Sequence, residues 1–351
     1  QSDFLASALE SEMPAALNEE VDLAPIADLA EFLRDYQKTG VEWMVTQARA
    51  GRGALLGDDM GLGKTLQTLA FVDWWLRSGE ASGPVLVVVP TSLLGNWQQE
   101  AAKWLPDRRV LTLHGTGRKK FFETIDAAEI VLTTYGLIHR DMDAIYGKTE
   151  FSAVVLDEAS LLRNPRSQSS KAVRQLKAGA RVALSGTPVE NSVRDLWSIF
   201  EFLQPGYLGG FKTFQDRYEK PLSGSAPDSA VGARLARRIA PFFLRRTKVE
   251  VAPELPEKMI QVAQVEMTSA QASLYRKLAQ TARDKVADLA KQSSGAGRMA
   301  ALTALLRLRQ TCCDLRLLGL DQSVLDTMAA IDFSAKREML KEILRESVEG
   351  G

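Results

Sequence analysis

A lysine and a threonine behind closely spaced glycines, and two adjacent carboxylates at the end of an apolar run, are the residues of this chain best suited to chemistry. The stretch Gly57-Asp-Asp-Met-Gly-Leu-Gly-Lys-Thr65 follows a short apolar run and precedes a segment with Leu66, Leu69, Val72 and Leu76 at helical spacing. Gly61 and Gly63 let the backbone fold tightly enough for successive N–H groups to face phosphate oxygens, and the N-terminus of the following helix adds its dipole. Asp59, Gly61, Leu62, Gly63, Lys64 and Thr65 then form a nucleotide phosphate loop. Lys64 bridges the β and γ phosphates, and Thr65 holds Mg²⁺ through its hydroxyl. The strict pattern asks for glycine at position 58, where this chain has Asp58. A glycine-rich turn is the bland alternative for this stretch taken alone.

Val154-Val-Leu-Asp157-Glu158 supplies what such a loop needs, an apolar strand ending in two acids about 90 residues after Lys64. Asp157 reaches the metal, and Glu158 orients or deprotonates the attacking water of an in-line displacement. The competing reading is a helix cap by Asp157. A third stretch, Ala183-Leu-Ser-Gly-Thr-Pro188, follows another apolar run and reads by itself as an ordinary turn or as a nucleotide-sensing loop.

These residues need a scaffold, and the chain carries its rhythm. Apolar runs at Gly53–Leu56, Val85–Val89, Val110–His114, Ile130–Thr134, Ala153–Asp157 and Arg181–Ser185 alternate with helix-like segments. Continuous rather than alternating apolar runs predict strands covered on both faces, hence an α/β fold with a parallel sheet and crossover helices. Trp97, Ala101 and Trp104 recur at helical spacing and read as core. After about Gln204 the pattern breaks at Pro205, Gly206, Gly209 and Gly210, and mainly helical segments follow. The expected organisation is an acidic lead-in at 1–30, an ATP-binding core at 31–203, a helical insertion at 204–240, a return to the core at 241–268 with a strand at Ile260–Met267, a helical protrusion at 269–330 with a break at Ser293–Gly297, and the start of a linker at 331–351.

At 351 residues, with 45% hydrophobic and 25% charged side chains, the chain is long enough for a full core. No run approaches the roughly 18 uninterrupted apolar residues of a membrane span, which favours an intracellular protein. Cys312 and Cys313, with only His114 and His139 beside them, argue against a disulfide framework or a zinc site. Formal net charge is zero, yet the first 33 residues hold eight acids and no base, so the remainder is net positive. Arg234, Arg237, Arg238, Arg245, Arg246 and Lys248 lie in an acid-free stretch, Val231–Val249, that reads equally as a phosphate-facing stripe or as a solvated helix face. Phe242 and Phe243 within it read as core.

Taken together, Leu33-Arg-Asp-Tyr-Gln37, Asp58–Thr65, Val89-Pro-Thr-Ser-Leu93 with Asn96-Trp97, Asp157-Glu-Ala-Ser160, Leu184-Ser-Gly-Thr-Pro188 with Asn191, and Pro241-Phe-Phe-Leu-Arg-Arg-Thr-Lys248 resemble the Swi/Snf-type translocases of helicase superfamily two. The resemblance runs from about Phe32 to Lys336. It implies a RecA-like lobe of an ATPase that uses ATP and Mg²⁺ to move along double-stranded DNA, usually without separating the strands. It implies that Gln37, with Arg34 nearby, contacts the adenine side of ATP. It further implies that Pro90, Thr91, Ser92, Thr133, Thr134 and Tyr135 lie at the DNA backbone, and that Ser160, Ser185, Gly186 and Thr187 couple nucleotide state to DNA grip.

Two departures qualify it. Ser160 stands where the family usually has histidine or glutamine, and it is too short for the same reach. Nothing resembles the motifs of the family's C-terminal lobe, including its arginine finger. Ala335–Leu340 looks like the start of that lobe, and Gln1 is not a start methionine, so a piece of a longer protein is expected. Partners implied are duplex DNA, the second lobe in cis and a DNA-bound protein cargo, in the cytoplasm or nucleoid of a prokaryote or the nucleus of a eukaryote. The alternatives are a strand-separating helicase or RNA-polymerase-recycling ATPase and, from another class, a non-catalytic nucleotide-dependent scaffold.

Overall fold

The computed structural model describes residues 21–186, 193–223, 228–251, 261–290, 294–321 and 333–349. Seven strands, β1 Ala54–Leu56, β2 Val85–Val89, β3 Val110–Thr112, β4 Ile130–Thr134, β5 Glu150–Leu156, β6 Lys177–Leu184 and β7 Phe243–Leu244, form one sheet in the order β3-β4-β2-β5-β6-β1-β7. Every pairing is parallel. The strands read as apolar runs because both faces are covered, and the pleat sends alternate side chains to opposite layers. Leu86 and Val88 enter one core cluster, while Val85, Val87 and Val89 enter the other.

Helices α1 Asp35–Arg49, α2 Lys64–Arg77 and α3 Leu94–Trp104 supply the second cluster with Val41, Met44, Leu69, Val72 and Trp97. Helices α4 Tyr135–Arg140, α5 Gln168–Val173, α6 Arg194–Leu203 and α7 Ser229–Ile239 supply the first with Ile138, Val173, Phe200 and Leu235. The result is a RecA-like α/β lobe with helices on both faces of a parallel sheet.

The six expected strands are present, with β5 and β6 each beginning earlier than the apolar run suggests. The seventh was placed wrongly. Of the strand expected at Ile260–Met267, residue 260 lies outside the described residues, and 261–268 form no strand. Its Val262 and Met267 are exposed, and 261–268 pair with no strand among the described residues. The edge beside β1 is taken instead by Phe243–Leu244, which pairs with Leu55–Leu56. Within 204–240, Leu208, Phe214, Tyr218, Leu222 and Leu235 belong to the first core cluster.

Chain contacts divide the molecule into two compact units, one up to residue 256 and one from residue 257. The second contains α8 Ser269–Ala290, α9 Ser294–Cys313 and α10 Ala335–Glu349. Helix α9 starts at Ser294, so the break expected through Gly297 is shorter than its glycines suggest. A polar knot joins these helices. Gln271 donates to the Thr311 carbonyl at 2.7 Å and accepts from the Ala335 N–H at 3.1 Å, and the Ser334 hydroxyl donates to the Cys313 carbonyl at 2.6 Å. No helix among the described residues is long and apolar enough to cross a membrane.

Candidate functional site

The strand order brings the three sequence motifs together. The glycine-rich loop leaves β1, Ser185 and Gly186 leave β6, and Asp157 and Glu158 leave β5, and these are neighbouring strands in the order β5-β6-β1. Ligands of open α/β sheets sit outside such carboxyl ends. Gly61 and Gly63 have φ of +86° and +75°, the left-handed region that glycine enters without penalty. Gly63 is doubly constrained: a methyl there would fall 2.4 Å from Gln37 Nε2.

Helix α1 holds the loop from that side. Gln37 Nε2 and the Tyr36 hydroxyl both donate to the Leu62 carbonyl, at 3.2 and 3.1 Å, and Gln37 Oε1 accepts the Arg34 backbone N–H at 2.9 Å at the helix start. Gln37 is thus placed at the phosphate loop, and Arg34 at the cap beside it.

Lys64 opens α2 and folds its ammonium back onto the Asp58 and Asp59 carbonyls at 2.6 and 3.2 Å. Burial pulls its pKa down, while Asp58, Glu158, Asp157 and Asp59 push the other way. The ammonium thus feels charge from both the loop and the acidic pair. Gly186 also belongs here: a methyl on it would lie 3.7 Å from Lys64 Nζ. Thr65 follows Lys64 in the first turn of α2. Thr187 lies outside the described residues.

Asp157 is 7% exposed and held from three directions. Its Oδ2 accepts from the Trp97 indole N–H at 2.7 Å, its Oδ1 accepts the Glu158 backbone N–H at 2.9 Å, and its carbonyl accepts the Tyr135 hydroxyl at 2.6 Å. Burial raises its pKa, and the Trp97 hydrogen bond opposes that rise. Glu158 has φ of +48°, the one positive φ of a non-glycine among the described residues. Backbone strain of this kind concentrates at functional sites. Ser160 lies in the 3₁₀ turn Ala159–Leu162 immediately after.

Of the residues expected at a DNA backbone, Thr91 and Ser92 are exposed and Pro90 is half-buried, all at the carboxyl end of β2. Thr133, Thr134 and Tyr135 are buried. The Thr133 hydroxyl donates to the Leu113 carbonyl at 3.1 Å and accepts the Tyr146 hydroxyl at 2.8 Å. Their side chains lie under the surface, where Tyr135 braces Asp157.

Two contributions escaped the sequence reading. Trp97, read as core, is core and also a ligand of Asp157. Arg246, read as part of a basic stripe, is buried on Asp58, with Nε to Oδ1 at 2.9 Å and Nη2 to Oδ2 at 2.5 Å. The stripe itself is dispersed: Arg245 faces Asp59 at 3.6 Å, Arg238 donates to the Tyr207 carbonyl, and Arg234 lies over the Tyr218 ring.

This fold and this loop-and-carboxylate constellation define a P-loop nucleotide-binding lobe. Residues 36–317 match the SNF2-related domain, and the chain belongs to that family. Among its relatives, YwqA of Bacillus subtilis, described as an ATP-dependent helicase/translocase, is 38% identical over 317 residues, covering 89% of this chain and 34% of its own. The TATA-binding protein-associated factor MOT1 of Saccharomyces cerevisiae is 34% identical over 312 residues, covering 82% of this chain and 17% of its own. The Sulfolobus solfataricus SWI2/SNF2 ATPase core in complex with dsDNA is similar at a TM-score of 0.60 and 34% identity, over 91% of this chain and 65% of that one. The same core domain determined separately gives 0.63 at 33% identity, over 96% and 67%. The chain therefore spans about a third or less of the length of these curated relatives.

Proposed function

We propose that this chain is the N-terminal motor lobe of an ATPase that moves along double-stranded DNA. The observation that carries the nucleotide half of this reading is the gathering of Lys64, Asp157 and Glu158 at the carboxyl ends of neighbouring strands, with Gly186 against the same ammonium. The donor set suits the group it would hold. Gly61 and Gly63 turn backbone N–H groups toward phosphate oxygens, Lys64 neutralises charge on the β and γ phosphates, and the Thr65 hydroxyl with the Asp157 carboxylate gives Mg²⁺ the hard oxygen ligands it prefers. Bound Mg²⁺ supplies charge neutralisation on the phosphates. Glu158 orients the attacking water and accepts its proton, while Gln37 and Arg34 serve the adenine side.

The duplex-DNA half rests on the sequence motifs and on likeness to a core determined with dsDNA. Pro90, Thr91 and Ser92 offer hydroxyls and backbone N–H groups at the surface, which position a phosphate backbone without reading sequence. Thr133, Thr134 and Tyr135 act beneath that surface, linking it to Asp157. Ser160, Ser185, Gly186 and Thr187 couple nucleotide state to grip. A second lobe supplies an arginine finger, a group worth about 10³ to 10⁵ in turnover, so this lobe alone binds ATP weakly and hydrolyses little. A DNA-bound protein is the cargo.

The test is steady-state ATP hydrolysis by the two-lobed protein and by this chain, each without nucleic acid and with blunt duplex DNA, single-stranded DNA or duplex RNA. Strong stimulation of the two-lobed protein by duplex DNA, with this chain nearly silent, is the expected result. Stimulation by single strands alone, with displacement of an annealed oligonucleotide, would mean a helicase. Stimulation by RNA alone would mean an RNA-linked ATPase, and nucleotide binding without turnover a switch.

A further inference from the structure

Asp58 stands where the phosphate-loop pattern asks for glycine, and its surroundings explain how the loop tolerates it. The carboxylate is fully buried, takes the two-pronged Arg246 contact, and accepts a third hydrogen bond from Gln67 Nε2 at 3.0 Å. Arg246, itself buried, also donates to Gln67 Oε1 at 2.8 Å and to the Tyr36 carbonyl, and its guanidinium lies 5.2 Å from the Tyr36 ring centroid. One side chain therefore ties together the start of α1 next to Gln37, the phosphate loop, and the first turn of α2 next to Lys64.

The backbone around it does the same. The Gly57 N–H donates to the Leu244 carbonyl at 2.7 Å, the Asp59 N–H to the Arg246 carbonyl at 3.0 Å, and the Lys248 N–H to Asp59 Oδ2 at 3.2 Å. Segment 244–248 thus runs along one wall of the loop. A buried carboxylate persists only when paired and fully hydrogen-bonded, and the planar guanidinium fork matches it in a way an ammonium cannot.

We infer that Arg246 is a positioning residue for nucleotide binding: its fork on Asp58 fixes the shape of the phosphate loop in place of the missing glycine. The inference rests on the reading of residues 57–65 as the ATP phosphate site. The rival role is a staple that secures β7 to the sheet without shaping the loop.

The two separate in the full protein with Arg246→Lys, Arg246→Met, Asp58→Gly and the double variant Arg246→Met/Asp58→Gly. The readouts are the affinity for a fluorescent ADP analogue with Mg²⁺ and the melting temperature. Arg246→Lys keeps the charge and guards against a variant too damaged to fold. Both single Arg246 variants are expected to weaken the analogue about tenfold or more, the scale of a lost bidentate charge-assisted contact. The double variant is expected to bind better than Arg246→Met, because the loop regains its glycine and no buried carboxylate is left alone. Lowered melting with affinity within about twofold of the parent in both Arg246→Lys and Arg246→Met would establish the staple and overturn the inference. A double variant that binds no better than Arg246→Met would overturn it as well. A parent that binds no nucleotide would remove the phosphate-site reading and this inference with it.

Discussion

At the scale of single residues, the acidic pair is more tightly prepared than its two letters suggest. Asp157 is buried, and a buried carboxylate keeps its charge only through partners. Trp97 provides one of them from the first turn of helix α3, which follows the exposed Thr91 and Ser92. Trp97→Phe keeps most of the ring and deletes the N–H. We expect the Mg²⁺ concentration for half-maximal ATPase to rise several-fold and stability to fall by about 1–3 kcal/mol, the cost of leaving a buried acceptor short of a donor. Trp104→Phe, which removes a hydrogen bond to Glu100 at 2.8 Å on the same helix, serves as the control and should leave the Mg²⁺ requirement unmoved. Equal Mg²⁺ dependence in both variants would show that Asp157 does not need the indole. Lys64→Ala in the two-lobed protein should abolish turnover while salt-sensitive DNA affinity survives; unchanged turnover would remove Lys64 from the site.

At the scale of elements, the strand-to-loop exits set the geometry, and two expectations follow from how they are held. Gly63→Ala must place a side chain at φ of +75° and 2.4 Å from Gln37 Nε2. The left-handed conformation alone costs about 1–2 kcal/mol, so the variant should lose nucleotide binding, and a binding isotherm like the parent's would mean that the loop is softer than its contacts imply. The second expectation concerns the loop after β4. Burial pushes the Tyr146 and Tyr135 phenols well above the ordinary tyrosine value. The native state then keeps protons that the unfolded chain releases, so stability is complete below about pH 10 and falls as pH rises past it. Tyr146→Phe should flatten that alkaline fall by up to about 1.4 kcal/mol per pH unit, one proton's share, in denaturant titrations above pH 10. An unchanged slope would exclude Tyr146 as its source.

The elements also mark what a sequence can disclose. Val85–Val89 and Ile130–Thr134 were legible because strands covered on both faces leave uninterrupted apolar runs. The glycine-rich loop and the acidic pair stand out in the sequence because each is local: glycine freedom and paired carboxylates sit within a few residues. Strand β7 was not, since two residues carry no periodicity and Phe243–Leu244 is a strand only because β1 offers an edge. The Asp58–Arg246 pair joins residues 188 positions apart, and no local rule connects them. The run expected as a strand at Ile260–Met267 misled for the complementary reason: it has the composition of a strand, yet its described residues, 261–267, are not strand.

At the scale of the whole molecule, the charge balance conceals two opposed regions. A net charge of zero hides an N-terminal lead-in with acids at Asp3, Glu10, Glu12, Glu19 and Glu20 and no base before Arg34. The last third of the lead-in expected at 1–30 is structural: Val21, Ile26 and Leu29 are buried in the core with Leu33 just beyond them, and the Trp74 indole N–H donates to the Asp22 carbonyl at 2.7 Å. Removing the acids before residue 21 leaves these buried residues in the chain. Affinity for duplex DNA is dominated by phosphate neutralisation, and repulsion from nearby acids is felt within a Debye length of about 10 Å at 0.1 M salt. Deleting residues 1–20 should therefore strengthen binding to blunt duplex DNA at low salt, with the advantage shrinking as salt rises and melting little changed. Fluorescence anisotropy across a salt series distinguishes this from a specific autoinhibitory contact, whose release would persist at high salt. Equal affinity of the two chains at low salt would mean that the lead-in lies too far from the DNA path for its charge to matter.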